Sequence, residues 1–330
     1  MAQFDSTQLS TIGVFTSGGD APGMNAAIRA VVRSAVQKKL IVKGIMQGYT
    51  GFLESHFIDL DLRSVANTIQ RGGTILKSGR CLEFLKPEVR KKAVENVRSA
   101  GIDAVVCIGG DGSYTGAQLL WQEHKLPMVG VPGTIDNDIY GTESTIGFDT
   151  AVNTALDAID RIRDTAASHD RLFIVEVMGR DSGFIAVSAG LAGGAEDIFI
   201  PERAFNVEKT VEIIKRGMAR GKSSSILIAA EGVKPGRAYN LAEAIQRSSG
   251  LQAKVCILGH IQRGGKPTAY DRVLASRMGA AAVDSLTNGQ CDVATAIQAD
   301  KIVMLDIADC LKQKKTVSKS LIELTQVLAN

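Results

Sequence analysis

Hydrophobic positions along this chain fall into two alternating patterns. Short, mostly β-branched runs at residues 12–16, 104–108, 128–131, 172–177, 198–200, 225–230 and 254–258 read as strands, because they are too short and too uniformly apolar for helices. Between them the apolar residues return at helical spacing. Over residues 149–163, Val152, Ala155, Leu156, Ile159 and Ile162 share one face, with Asp149 in the first turn and Arg161 and Arg163 late, an arrangement that suits the helix dipole. Residues 115–125 predict a crossover helix between the runs at 104–108 and 128–131, and Pro22 is placed to open a helix through Ala26, Ile28 and Val31. The alternation from Thr11 onward predicts an α/β protein whose mainly parallel sheets are flanked by helices on both faces. The strands that follow residue 147 predict a second α/β lobe.

The polar residues of interest fall repeatedly just beyond the carboxyl end of a strand. Ser17-Gly18-Gly19-Asp20 follows 12–16, Gly109-Gly110-Asp111-Gly112-Ser113 follows 104–108, and Pro132-Gly133-Thr134-Ile135-Asp136-Asn137-Asp138 follows 128–131. Met178-Gly179-Arg180 follows 172–177, Glu231 follows 225–230, and His260-Ile261-Gln262-Arg263 follows 254–258. Parallel strands joined by right-handed crossovers release such loops at one sheet edge, where ligands of open α/β sheets bind. Asp111 and Asp136 are therefore expected to face one crevice.

With 330 residues, 45% of them apolar, the chain buries a large core and reads as two lobes. A net charge of +3, with both signs spread along the chain, gives no electrostatic footprint of a nucleic-acid or membrane-surface binder. Lys312, Lys314, Lys315 and Lys319 read as a solvated tail face. The five cysteines, Cys81, Cys107, Cys256, Cys291 and Cys310, are odd in number and show no CxxC spacing. That fits buried thiols in a reducing cytoplasm and gives no support for structural zinc. Residues 1–10 lack the pattern of a secretory signal, and the longest uncharged stretch, 182–195, is glycine-interrupted and short of a membrane span.

Residues 17–25 form a glycine-rich strand-to-helix turn, suited to close approach of backbone N–H groups to a phosphate or simply to a tight turn. Gly217 to Ser223 resembles a P-loop, but it is one residue short and leads into a strand, and no dinucleotide Gly-x-Gly-x-x-Gly follows the first strand. Asp111 among glycines suits Mg²⁺ chelated by phosphate oxygens, or else a helix cap. In an extended 134–138 segment, alternation sets Asp136 and Asp138 on one side with Asn137 turned away. Paired carboxylates push their pKa values apart, which suits one of them to accept a proton from a sugar hydroxyl, although an Asx-rich turn has the same composition. Arg80, Arg171, Arg180, Arg263 and His260 supply positive charge for phosphoryl oxygens.

These motifs, in this order, resemble the bacterial ATP-dependent 6-phosphofructokinases from Ile12 to about Asp309. The resemblance implies two α/β lobes of the phosphofructokinase fold with the active site in the cleft between them. A larger ATP-binding lobe is expected from 1–146 plus 261–311, and a smaller fructose 6-phosphate lobe from 147–260 plus 312–330. It implies that Gly19 and Gly110, Gly112 and Ser113 cradle the ATP phosphates, that Arg80 and Cys81 line the nucleotide site, and that Asp111 holds Mg²⁺. Asp136 is implied as the base for the 1-hydroxyl, Asp138 as its neighbour in the catalytic loop, and Thr134 and Arg180 as stabilisers of the transferring oxygens. Met178, Gly179, Glu231, His260 and Arg263 are implied as sugar-phosphate ligands. Arg171 would reach in from a neighbouring subunit of a homotetramer, and Lys254 would stand in for a cross-subunit arginine.

Pyrophosphate-using relatives tend to carry aspartate at Gly112 and lysine at Gly133, so the glycines here favour ATP by leaving space for the nucleotide. An effector site for ADP or phosphoenolpyruvate is matched by Arg29, Arg33, Arg163, Glu196 and Lys222, with Arg220 in place of a usual lysine. Leu62 and Ser224 depart from that pattern, so altered allostery is expected. A pyrophosphate-dependent enzyme, a catalytically silent regulatory homologue, and a kinase of the NAD or lipid type are the alternatives.

Overall fold

The computed structural model describes residues 2–168, 171–232 and 234–328. The chain divides into two compact units, Met1–Asp149 with Arg263–Lys315, and Thr150–Gln262 with Thr316–Asn330.

The first unit is built on a seven-stranded sheet. Its strands in chain order are β2 (Thr11–Thr16), β3 (Ile41–Ile45), β4 (Phe57–Leu60), β5 (Ala104–Gly109), β6 (Met128–Pro132), β12 (Val293–Gln298) and β13 (Lys301–Asp306), after a short β1 (Ala2–Gln3) that pairs with β11 (Gln290–Cys291). The spatial order is β13-β12-β6-β5-β2-β3-β4, parallel except for the antiparallel edge strands β4 and β13. The central strands β2, β5 and β6 are buried throughout. Their unbroken apolar runs follow from burial of both sheet faces. Helices α1 (Met24–Gln37), α2 (Tyr49–Leu53), α3 (Pro87–Ser99), α4 (Asp111–His124), α9 (Ala269–Thr287) and α10 (Ile307–Lys312) belong to this unit. One core cluster joins Phe15, Tyr49, Phe52, Phe84 and Tyr114 with the aliphatic residues of β5 and α3.

The second unit carries a four-stranded parallel sheet in the order β10-β7-β9-β8, formed by β7 (Leu172–Val177), β8 (Asp197–Phe199), β9 (Ser225–Ala230) and β10 (Ala253–Ile257). Helix α5 (Phe148–Ala167) leads into it, and α6 (Phe184–Ala192), α7 (Val207–Ala219), α8 (Arg237–Ser249) and α11 (Lys319–Leu328) flank it. Its core joins Ile174, Phe199, Ile214, Leu227 and Ile245. No helix among the described residues is long and apolar enough to cross a membrane.

Two element starts differ from the sequence reading. Helix α1 begins at Met24 rather than at Pro22, because Gly23 at φ +107 turns the chain immediately before it. Helix α4 begins at Asp111 rather than at residue 115, so Asp111, Gly112 and Ser113 form its first turn instead of a free loop.

Candidate functional site

In the first unit, the adjacent strands β6, β5 and β2 release three polar segments at their carboxyl ends. Gly18, at φ +84, donates its N–H to the Gly79 carbonyl at 3.3 Å, and Ser78 donates its hydroxyl to the Gly18 carbonyl at 2.6 Å. The 78–81 segment, with exposed Arg80 and half-buried Cys81, is thereby drawn beside the first glycine turn. Gly19 faces the Arg263 guanidinium so closely that a Cβ there would collide with it, and Arg263 donates to the Asp20 carbonyl at 3.1 Å. Arg263, expected among the sugar-phosphate residues, thus lies against the glycine turn of the first unit.

Asp111 is exposed as the first residue of α4. Its Oδ1 accepts from the Gly112 N–H at 2.6 Å, while Gly110 is the N-cap and offers no side chain. A glycine cap leaves this helix start open to an anion, and the helix dipole favours one there. The same turn is anchored from inside: the buried Tyr49 hydroxyl donates to the Ser113 carbonyl at 2.6 Å. Burial holds that phenol well above its ordinary pKa, so it stays a donor. Around Gly112 there is open space, as expected. Gly133 is different, since a Cβ there would meet Ile108 at 2.9 Å and Met24 at 3.2 Å, so this glycine serves close packing rather than an open pocket.

The 134–138 segment is not extended. Asn137 sits at φ +51 and is itself buried, and Asp136 is buried while Asp138 is half-buried. The left-handed residue breaks the alternation that would have put the two aspartates on one side. The segment is pinned at its base, where the Thr134 carbonyl accepts from the Thr145 hydroxyl at 2.6 Å and the Pro132 carbonyl from the Ile146 N–H at 2.8 Å. The Thr134 hydroxyl accepts from the Asp136 N–H at 3.2 Å. The Cβ of Thr134 lies 3.8 Å from where a Cβ on Gly110 would stand. The Gly133 N–H donates to the Gly109 carbonyl at 3.0 Å, so the 134–138 segment leaves β6 beside the start of α4. Lys315, read from sequence as part of a solvated tail face, instead donates to Asn137 Oδ1 at 2.8 Å and to the Glu143 carbonyl at 2.9 Å.

In the second unit, β7, β9 and β10 end together. Glu231 donates its N–H to the Val177 carbonyl at 2.9 Å and accepts from the Arg180 N–H at 3.4 Å. Gly179 at φ +143 packs against the Ser182 carbonyl, which leaves no room for a Cβ, and Arg180 follows in the left-handed region at φ +51. A non-glycine residue held there is the kind of strain found at functional turns. Met178 is buried and His260 is exposed in a single 3-10 turn, Gly259–Arg263.

Two residues that sequence reasoning left without a role hold this end together. Gln262, fully buried, accepts from the Met178 N–H at 2.8 Å and donates to the Ala151 carbonyl at 3.4 Å. Glu176, also buried, accepts from the N–H groups of Gly236 and Ala238 at 2.7 and 2.8 Å, satisfying donors at the start of α8. A lone carboxylate inside the apolar run 172–177 was the visible signal for it.

A model of the phosphofructokinase family matches residues 11–286. This chain belongs to the phosphofructokinase family. It is 54% identical over 321 residues to the ATP-dependent 6-phosphofructokinase 1 of Thermus thermophilus, covering 97% of this chain and 100% of the relative. It is 51% identical to the ATP-dependent 6-phosphofructokinase 2 of Bacteroides thetaiotaomicron, covering 96% and 98%. Among solved structures, phosphofructokinase from Saccharomyces cerevisiae superimposes with a TM-score of 0.87 at 38% identity, covering 92% of this chain and 45% of the yeast chain. This chain thus spans less than half the length of that yeast chain.

Within this phosphofructokinase, Arg171 and Lys254 stand at the amino ends of β7 and β10, the opposite end of the sheet from Met178, Gly179, Arg180, Glu231 and His260. A six-residue strand spans about 20 Å. Glu196 and Lys222 come together, and Arg163 reaches the turn just before Glu196. Arg163 donates to the Gly193 and Gly194 carbonyls, and the buried Glu196 carboxylate pairs with Lys222 and accepts from the Ile226 N–H. Arg220 is exposed at the end of α7, with Ser224 just before β9. Arg29 and Arg33 lie four apart on α1, half-buried and exposed respectively, and Leu62 is exposed beyond β4.

Proposed function

We propose that this chain is an ATP-dependent 6-phosphofructokinase, which moves the γ-phosphoryl group of ATP to the 1-hydroxyl of fructose 6-phosphate. The observation that carries the reading is the bond from the Gly133 N–H to the Gly109 carbonyl at 3.0 Å, which sets the Asp136 loop beside the glycine-capped start of α4. Asp136 takes the hydroxyl proton as the sugar oxygen bonds to the γ-phosphorus. The bond from that phosphorus to the bridging oxygen breaks, and ADP and fructose 1,6-bisphosphate leave. Gly19 and the turn of Gly110, Gly112 and Ser113 cradle the phosphates, with Arg80 and Cys81 beside them. Thr134 and Arg180 serve the transferring oxygens. Met178, Gly179, Glu231 and His260 hold the sugar phosphate.

Asp111 fits Mg²⁺ by its chemistry. It is an exposed hard-oxygen donor at a helix start, and among the described residues no group of three His, Cys, Asp or Glu forms a closed metal cage. Mg²⁺ takes one or two carboxylates together with substrate phosphates. When bound it supplies positive charge to the phosphoryl oxygens.

Arg171 and Lys254 join this reading only through a second copy, because in one chain they stand at the far end of the sheet. A homotetramer with shared sites supplies them. Leu62 and Ser224 depart from the effector pattern, so ADP and phosphoenolpyruvate are proposed to act weakly or differently. Strong activation and inhibition in a rate titration would overturn that reading.

The experiment is the steady-state rate of fructose 1,6-bisphosphate formation with ATP or with pyrophosphate, beside Asp136→Asn. Turnover with ATP alone, lost by several orders of magnitude in the variant, is the expected result. Turnover with pyrophosphate overturns the donor. No turnover with either overturns the activity in favour of a regulatory homologue.

A further inference from the structure

The loop that carries Asp136 is tied at both ends. Its base is closed by the Gly133 to Ile146 bridge. Its far side rests on β12, where the Glu143 N–H reaches the Ile297 carbonyl at 2.9 Å and the Thr142 hydroxyl accepts from the Ile297 N–H at 3.1 Å. Between these anchors the backbone turns through left-handed Asn137. There the Asn137 amide donates to the Glu143 carbonyl at 3.4 Å, and the Lys315 ammonium donates to that same carbonyl and to Asn137 Oδ1. The ammonium thus closes a ring from Asn137 to Glu143.

We propose that Lys315 is a positioning residue for the phosphoryl transfer: by fixing Asn137 it fixes the backbone that aims the Asp136 carboxylate. The proposal rests on Asp136 being the base. Lys315 does not touch the reacting atoms and acts through Asn137. Its charge is held by the carboxylates of Asp138 and Glu143, both on the same loop, while burial pulls the amine down to about 8. A solvated tail lysine would show neither the burial nor this set of partners. The position is reached from a remote part of the chain, just after α10 and at the last residue of the first unit.

The test compares Lys315→Met, Lys315→Arg and Asn137→Gly in the full-length chain, with kcat, both KM values and the unfolding midpoint measured for each. Glycine at 137 removes the tie from its other end and accepts the left-handed backbone. Misplacing a reactive group by a fraction of an ångström to an ångström lowers kcat by about 10- to 100-fold, which is the loss expected for Lys315→Met and for Asn137→Gly. The KM values should stay within about twofold, Lys315→Arg should recover most of kcat, and the double variant combining Lys315→Met with Asn137→Gly should lose little more than either single one. An unchanged kcat overturns the proposal. So does a loss that comes with matching rises in both KM values and a lowered unfolding midpoint, or losses that multiply in the double variant. Asp136→Asn separates the two readings. If it stays active, the base assignment fails whatever Lys315 does, and if it is inactive while Lys315→Met is silent, only the role of Lys315 fails.

Discussion

The Tyr49 hydroxyl donates to the Ser113 carbonyl at 2.6 Å inside the first unit, fixing the first turn of the helix that Asp111 begins. Its ring is held by stacking on Phe84 at 4.1 Å and by an edge contact with Phe15 at 4.9 Å. Gly116 admits it, since a Cβ there would stand 2.7 Å from the ring. Tyr49→Phe keeps the packing and removes only the hydrogen bond, so it should cost about 1 kcal/mol of unfolding free energy. Because the bond steadies the proposed phosphate cradle, KM for ATP should rise more than KM for fructose 6-phosphate. Urea unfolding and steady-state kinetics check the two effects separately.

Gly179→Ala tests the other unit. The residue sits at φ +143 and its missing Cβ points at the Ser182 carbonyl, so alanine meets both backbone strain and a clash. A loss of about 1–3 kcal/mol is expected. The turn it shapes presents Met178 and Arg180, so the kinetic damage should fall on fructose 6-phosphate, with KM for ATP little changed. Equal effects on both substrates would show that the turn serves the fold alone.

Asp292 gives the fold a pH dependence. Burial first, and the neighbouring Asp306 second, push its carboxyl up to about 6, with Lys125 opposing. Its Oδ1 is buried and finds no hydrogen-bond partner among the described residues. A carboxyl that holds its proton more tightly when folded adds stability below its unfolded pKa, near 3.8, and that contribution is lost as pH rises through about 6. Asp292→Asn removes the charge, so the variant should gain stability relative to the parent at neutral pH and show a flatter stability profile between pH 4 and 6. Urea midpoints taken across that range measure the difference.

The sheet edges and the loops at their carboxyl ends were legible because buried parallel strands are written as unbroken apolar runs and the loops as glycine next to carboxylate. Asp111, Asp136, Met178 and Glu231 all fall where that pattern puts them. Alternation does not hold through Asn137, because a single left-handed residue reverses side-chain direction and composition does not report φ. Lys315 was misread because its partner Asn137 lies 178 residues away, and a lysine among other lysines in a tail looks solvated until the fold brings a carbonyl to it. Glu176 and Gln262 were visible as polar residues in the right motifs, but their partners, the N–H groups at the start of α8 and of Met178, exist only in the tertiary structure.

Arg171 offers the sharpest test of the proposed sharing of sites between subunits. It is exposed and precedes β7, while Met178 and Arg180 follow the same strand, so one chain cannot bring all three to a single sugar phosphate. If a neighbouring subunit supplies it, Arg171→Ala should raise KM for fructose 6-phosphate with little change in stability, since substitution of an exposed side chain costs little. Asp136→Asn should abolish turnover in its own chain. Unfolding and reassembling the two variants together puts an intact Asp136 and an intact Arg171, from different chains, at a fraction of the sites. Those sites should regain the normal KM, so the mixture should be more active at low fructose 6-phosphate than either variant alone. A mixture no better than the average of its parts would mean that Arg171 serves only its own chain.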